Sequence, residues 1–224
     1  MQTTEAPRQP SRHTDQLIWL GLGLTLALLL LALLLALLRA NLGLGRPLPN
    51  YGPVRDFALT NQNGRAVSLA DVRGHVWVAD IIFTRCPGPC LKMTRQMKEL
   101  QQALPPRSDA RLITLTTDPE FDVPSVLKTY ADRFGVDPAR WWFLTGTKTE
   151  IGRLATDSLK LTALEKSPQE RTSPVDLFIH STILVLVDKQ GQLRGVFEST
   201  GEGVDPAQVR KQLLAGIRRL EREP

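Results

Sequence analysis

The chain has 224 residues, a formal net charge of +5 and only two cysteines. The positive balance, with a pI near 9.5, does not make it a nucleic-acid binder, because the basic residues are dispersed and no aromatic platform is interleaved with them. One leucine-rich stretch aside, there is no low complexity and no internal repeat. The roughly 180 residues after that stretch suffice for one buried core and fall short of two domains.

Residues 17–38 carry no charge and are mostly leucine. At 1.5 Å per residue such a run crosses a ~30 Å hydrocarbon core, which predicts a transmembrane helix. A cleaved signal peptide has a shorter apolar region and a small-residue cleavage site, and none follows Leu38. Residues 1–16 are read as a cytoplasmic tail. The basic residues on the two sides of the span do not decide orientation, but a long domain translocates whatever its charge, and a thiol pair suits an oxidising compartment. The domain is therefore expected outside the cytoplasm, on a bacterial inner membrane, since Glu5 and Asp15 argue against a mitochondrial presequence. Residues 39–53, rich in proline, predict a stiff spacer, and 54–224 the domain.

Within the domain, residues 56–69 read as a hairpin turning at Gln62-Asn63-Gly64. Residues 75–83 form a nearly continuous apolar run interrupted by Asp80, which predicts a central strand covered on both faces. The strand ends at Phe83-Thr84-Arg85-Cys86-Pro87-Gly88-Pro89-Cys90. Met93, Met97, Leu100 and Leu104 then recur at helical spacing, as a core stripe, until Pro105-Pro106. A second strand at 111–117 leads through Asp118-Pro119 to a helix over 123–134, with Asp122 as its expected N-cap. Trp142-Phe143-Leu144 predicts a strand, in which burial of at least one of Trp141 and Trp142 is favoured over a partner-binding surface. A helix over 148–159 and a long loop over 165–174 follow. Strands at 181–187 and 192–197 pair across a Gln190-Gly191 turn. Asp205 caps a final helix, with Pro206 at its first position and an apolar stripe of Val209, Leu213, Ile217 and Leu220. Its basic residues, Arg210, Lys211, Arg218, Arg219 and Arg222, read as a polar face. The element order is thioredoxin-like, an α/β fold with an extra N-terminal hairpin.

Cys86 and Cys90, at the strand-to-helix turn, suit either a disulfide or a soft metal. In that topology the strand starting at Ser181 runs antiparallel to the one ending at Phe83, which brings His180 beside the thiols. His13 precedes the membrane span, and His75 opens the central strand at its far end. Two thiolates and an imidazole form a soft set suited to Cu(I), and with a water or a fourth donor also to Cu(II) or zinc; copper is favoured, because structural zinc usually recruits four protein ligands and no fourth Cys or His is found. Arg85 and the helix N-terminus are expected to favour thiolate over thiol.

The cysteine segment, Thr117-Asp118-Pro119-Glu120-Phe121-Asp122, Trp142-Phe143-Leu144-Thr145-Gly146 and His180-Ser181-Thr182, in this order behind one anchor, resemble the Sco/SenC family. The resemblance implies a thioredoxin-like fold and copper held by Cys86, Cys90 and His180, with Asp118 as an assisting acid near the copper. It further implies delivery of copper to, or thiol reduction at, the dinuclear copper centre of cytochrome c oxidase. The sequence departs from the family pattern at Leu91, where a proline is usual, and at Gly88-Pro89. Two other readings of the same residues are a metal-free thiol–disulfide oxidoreductase using Cys86 and Cys90, and a copper or redox sensor. A peroxiredoxin is disfavoured, since Phe83 stands where that family has threonine.

Overall fold

The computed structural model describes residues 12–41, 48–86, 88–171 and 177–223, without the side chains of 12–15, 39–41, 163 and 180. It divides into two units, Met1–Pro47 and Leu48–Pro224. The first holds one helix, α1 (Arg12–Asn41). Its segment Gln16–Leu38 is 23 residues of exposed apolar surface, about 35 Å long at the helical rise, which is enough to cross a membrane.

In the second unit, β1 (Ala58–Asn61) and β2 (Ala66–Ser68) make the expected hairpin, with Gly64 at φ +76° in the turn. The central strands are β3 (Trp77–Ile82), β4 (Arg111–Thr116) and β5 (Trp141–Thr145). β8 (Ile183–Val187) and β9 (Leu193–Glu198) complete a seven-stranded sheet of order β2-β1-β5-β4-β3-β8-β9. β3, β4 and β5 are parallel, while β8 lies antiparallel to β3 with Ala79 opposite Val185. All six residues of β3 are buried, as a strand covered on both faces requires.

Alternation along β3 divides the core in two. Val78 and Ile82 pack towards α2 (Pro89–Ala103) and α5 (Pro206–Arg222), with Met93, Met97, Leu100, Leu213 and Ile217. Trp77, Ala79 and Ile81 pack on the other face with Val67, Leu69, Ile151 and Leu154. Both tryptophan rings of β5 are buried, so neither offers a partner surface. Trp141 donates to Thr114 Oγ1 at 2.9 Å and Trp142 to the Pro138 carbonyl at 3.0 Å.

Three local expectations give way to packing. α3 (Pro124–Arg133) is preceded by Val123 as N-cap, with no side-chain cap. Asp122 is drawn inward instead, as described below. The helix expected over 148–159 is α4 (Lys148–Gly152), continuing as a π-helical turn over Arg153–Ser158. The expected long loop over 165–174 is flanked by two strands that were not expected: β6 (Ala163–Glu165) pairs with β7 (Phe178–His180) as a separate two-stranded sheet, while residues 172–176 lie outside the described part. Much of the expected spacer, 42–47, also lies outside it. Its end is tied to the domain: the Tyr51 N–H donates to the Leu193 carbonyl at 2.8 Å, and the Leu193 N–H to Gly52 at 2.9 Å.

Candidate metal and thiol site

Cys86 follows the C-terminal end of β3, where its N–H donates to the Phe83 carbonyl at 3.2 Å. Cys90 sits in the first turn of α2, behind Gly88 as N-cap and Pro89 at the first helical position, where proline's missing N–H is no loss. Pro87 lies outside the described residues. Neither cysteine is bridged. Both are buried, Cys86 at 6% exposure and Cys90 at 0%, and both belong to the α2-side core cluster with Met93 and Met97. The expected core role of the two methionines is thus what the packing shows.

Burial, first of all, pushes the Cys90 thiol well above its ordinary range. Its hydrogen bond with Cys86 and the charge of Asp80 act in the same direction, and a bond with the Phe83 backbone acts against them. The environment that holds Cys90 protonated is therefore dominated by desolvation rather than by the helix end. The Thr94 hydroxyl donates to the Cys90 carbonyl at 2.9 Å and lies 3.0 Å from the Tyr130 hydroxyl. With its one proton committed, Thr94 accepts from Tyr130, and burial raises the Tyr130 pKa.

Arg85, expected to favour the thiolate, is engaged by a carboxylate and a ring. Its guanidinium pairs with Asp118 Oδ2 and lies 4.1 Å from the centre of the Phe121 ring. Asp118 is 5% exposed, and its N–H donates to Thr116 Oγ1 at 2.9 Å. Asp122 is fully buried. Its carboxylate accepts from the Thr84 N–H at 3.1 Å, from the Thr84 hydroxyl and from Thr116 Oγ1 at 2.5 Å. Burial raises its pKa against these bonds. The 118–122 loop is thus bolted to the two residues that precede Cys86. Sequence reading missed this clamp, because it joins residues 38 positions apart, and nothing local distinguishes it from a helix cap.

His180 ends β7, whose register sets Ala163 opposite His180 and Glu165 opposite Phe178. The His180 side chain lies outside the described residues, and among those described no three His, Cys, Asp or Glu side chains form a metal cluster. The backbone route towards the thiols is described: Phe178 meets Phe83 edge-on at 5.1 Å between ring centres. Lys148 holds the hairpin from outside, 3.1 Å from Glu165 and 3.1 Å from Glu120. His75 is tied elsewhere, with Nδ1 2.7 Å from Asp109 Oδ2, and the His13 side chain is outside the described residues.

A SCO1/SenC family model matches residues 49–215. The SCO1 protein homolog of Bacillus subtilis is 38% identical over 146 residues, covering 64% of this chain and 72% of that one. A Stutzerimonas stutzeri protein whose name proposes copper binding is 31% identical over 150 residues, covering 66% and 70%. The solved structure of BsSco, a member of the Sco family of cytochrome c oxidase assembly proteins in which a disulfide switch was identified, superimposes with TM-score 0.59. It is 29% identical and covers 76% of this chain and 98% of that one. The thioredoxin-like α/β arrangement, the thiol turn and a family match over nearly all of the second unit agree: this chain belongs to the SCO1/SenC family.

Proposed function

We propose that the chain binds copper as cargo through Cys86, Cys90 and His180 and passes it to the dinuclear copper site of cytochrome c oxidase, or matures the thiols of that site. α1 anchors it in a bacterial inner membrane through residues 17–38, with 1–16 in the cytoplasm, a spacer over 39–53 and the domain at 54–224 outside. The observation that carries this reading is the pair of hydrogen-bonded thiols at the β3–α2 turn. Thiolate donors suit Cu(I) as well as zinc, and with one imidazole they make the three-coordinate set that favours Cu(I) over four-coordinate zinc. The names of the B. subtilis and S. stutzeri relatives and the family description of BsSco support the same reading. The high Cys90 pKa means that metal binding there releases a proton. Asp118, fixed by Arg85, orients the loop beside the cysteines.

Anaerobic titration of the reduced full chain in detergent with Cu(I), against a competing chelator, tests the assignment. One bound Cu(I) is expected, with affinity falling at least about tenfold in His180→Ala. Unchanged affinity in that variant removes His180 from the set.

The buried Cys90 beside Cys86 also favours a second reading, a metal-free thiol–disulfide oxidoreductase. In that chemistry the Cys86 thiolate attacks a partner disulfide, releasing one partner thiolate and leaving a mixed disulfide. Cys90, once deprotonated, displaces the second partner sulfur and closes the Cys86–Cys90 bond. Reduction of a disulfide peptide by metal-free protein, lost in Cys86→Ser and indifferent to His180→Ala, is the result that selects it.

A further inference from the structure

A groove of about 450 Å³ runs between the 118–122 loop and α3, beginning at Thr84 and Arg85, the two residues before Cys86. Its described lining includes Phe121, Val126 and Tyr130 and two arginines, Arg85 and Arg133, with no carboxylate. Phe121 is 42% exposed, and its neighbour Val123 41%. An exposed aromatic ring under the Arg85 guanidinium, with Arg133 in the same lining, has the composition of a binding hot spot. The floor is also rigid. Asp122 fixes Thr84, Asp118 fixes Arg85, and Arg85 lies on the Phe121 ring, so little side-chain entropy remains to be lost on binding.

We propose that this groove docks an extended segment of the protein that exchanges copper or thiols with Cys86, a segment carrying an apolar side chain beside a carboxylate. The apolar side chain lies against Phe121 and Val126, and the carboxylate meets Arg133, the groove cation that Asp118 does not already hold. A second copy of this chain is a poorer occupant, because at net charge +5 it brings like charge. The volume accommodates a few side chains rather than a folded surface. The proposal rests on reading Cys86 as the group that meets the partner, and it assigns to that partner a chemical signature next to its own reacting residues.

The test uses the full chain in detergent and two fluorescein-labelled, cysteine-free peptides of alternating sequence, Leu-Glu-Phe-Glu and Leu-Lys-Phe-Lys, followed by fluorescence anisotropy at low ionic strength. The acidic peptide is expected to bind about threefold to fivefold more tightly. Arg133→Glu is expected to invert that preference, and Phe121→Ala to weaken the acidic peptide about tenfold. Both side chains are exposed, so neither change threatens the fold. Equal binding of the two peptides, or a preference unchanged in Arg133→Glu, overturns the proposal. Self-association that Phe121→Ala abolishes also overturns it and gives the groove to a second copy. Reaction of the reduced chain with Ellman's reagent needs no groove and reports the Cys86–Cys90 pair separately, so failure of the copper or thiol reading leaves the peptide result decisive.

Discussion

The two halves of the candidate site are built by different means. The Cys86–Cys90 half is set into the core: both thiols are buried, and the loop beside them is held by an internal carboxylate, Asp122, on Thr84 and Thr116. The half that carries His180 is a two-stranded hairpin. Among the described residues it is held by backbone pairing, an edge-on aromatic contact and ion pairs whose members are about half exposed. Buried hydrogen bonds are expensive to break because the abandoned group stays dry, whereas exposed ion pairs exchange readily with water. The thiols are therefore the fixed reference of the site and the hairpin its adjustable part, which suits the proposed acceptance and release of a copper cargo.

That contrast can be broken most sharply at Asp122. Asp122→Ala takes the acceptor from the half-buried Thr84 N–H and hydroxyl and from the buried Thr116 hydroxyl, and is expected to destabilise the domain by about 3 kcal/mol, read as a lowered denaturation midpoint by tryptophan fluorescence. A midpoint within experimental error of the parent would show that the 118–122 loop is not structurally clamped.

Cys90 gives the next largest effect, and a sign. Burial raises its pKa in the fold, so the folded chain keeps a proton that the unfolded chain loses above about pH 8.5. The contribution of Cys90 is therefore fully present below that pH. It falls as pH rises, by up to about 1.4 kcal/mol per pH unit. Denaturation midpoints compared across pH 7.5–10 check this, and Cys90→Ala is expected to flatten the decline.

On the hairpin side the effects shrink. Phe178→Ala removes the contact with Phe83 and is expected to lower stability by about 1 kcal/mol. It should weaken Cu(I) binding by a larger factor than its effect on stability, because the loss falls on the strand that carries His180. Lys148→Met opens the Glu120 and Glu165 pairs, and is expected to change global stability by less than about 1 kcal/mol. It should also speed amide exchange in β6 and β7 relative to β3. Equal exchange in the two regions would erase the distinction between fixed and adjustable halves.

Features written in adjacent residues were legible without coordinates. The strand, the break at Gly88 and the helix starting at Pro89 are encoded within about a dozen positions, so the sequence placed the two thiols at a strand-to-helix junction. The apolar run at 17–38, the Met93–Leu104 stripe and the Asp205 cap are local in the same sense, and the structure has the corresponding helices. The sequence also placed His180 just ahead of the strand antiparallel to β3, because strand order and direction constrain topology, but it did not show that His180 itself ends β7, in a separate sheet.

Tertiary packing decided what each polar group near the thiols does. Asp122 satisfies the expected rules for a helix cap, yet it joins Thr84, because burial with three donors outweighs an exposed cap. Arg85 is adjacent to Cys86 in sequence, yet its charge goes to Asp118, 33 positions away. The β6–β7 sheet, whose short strands flank the expected loop over 165–174 and were not read from the sequence, exists because its strands pair with each other and Phe178 reaches Phe83. Periodicity and propensity report what neighbours along the chain prefer. Desolvation and the choice of partner depend on which distant segments exclude water from the same place, and that is fixed only when the chain closes on itself.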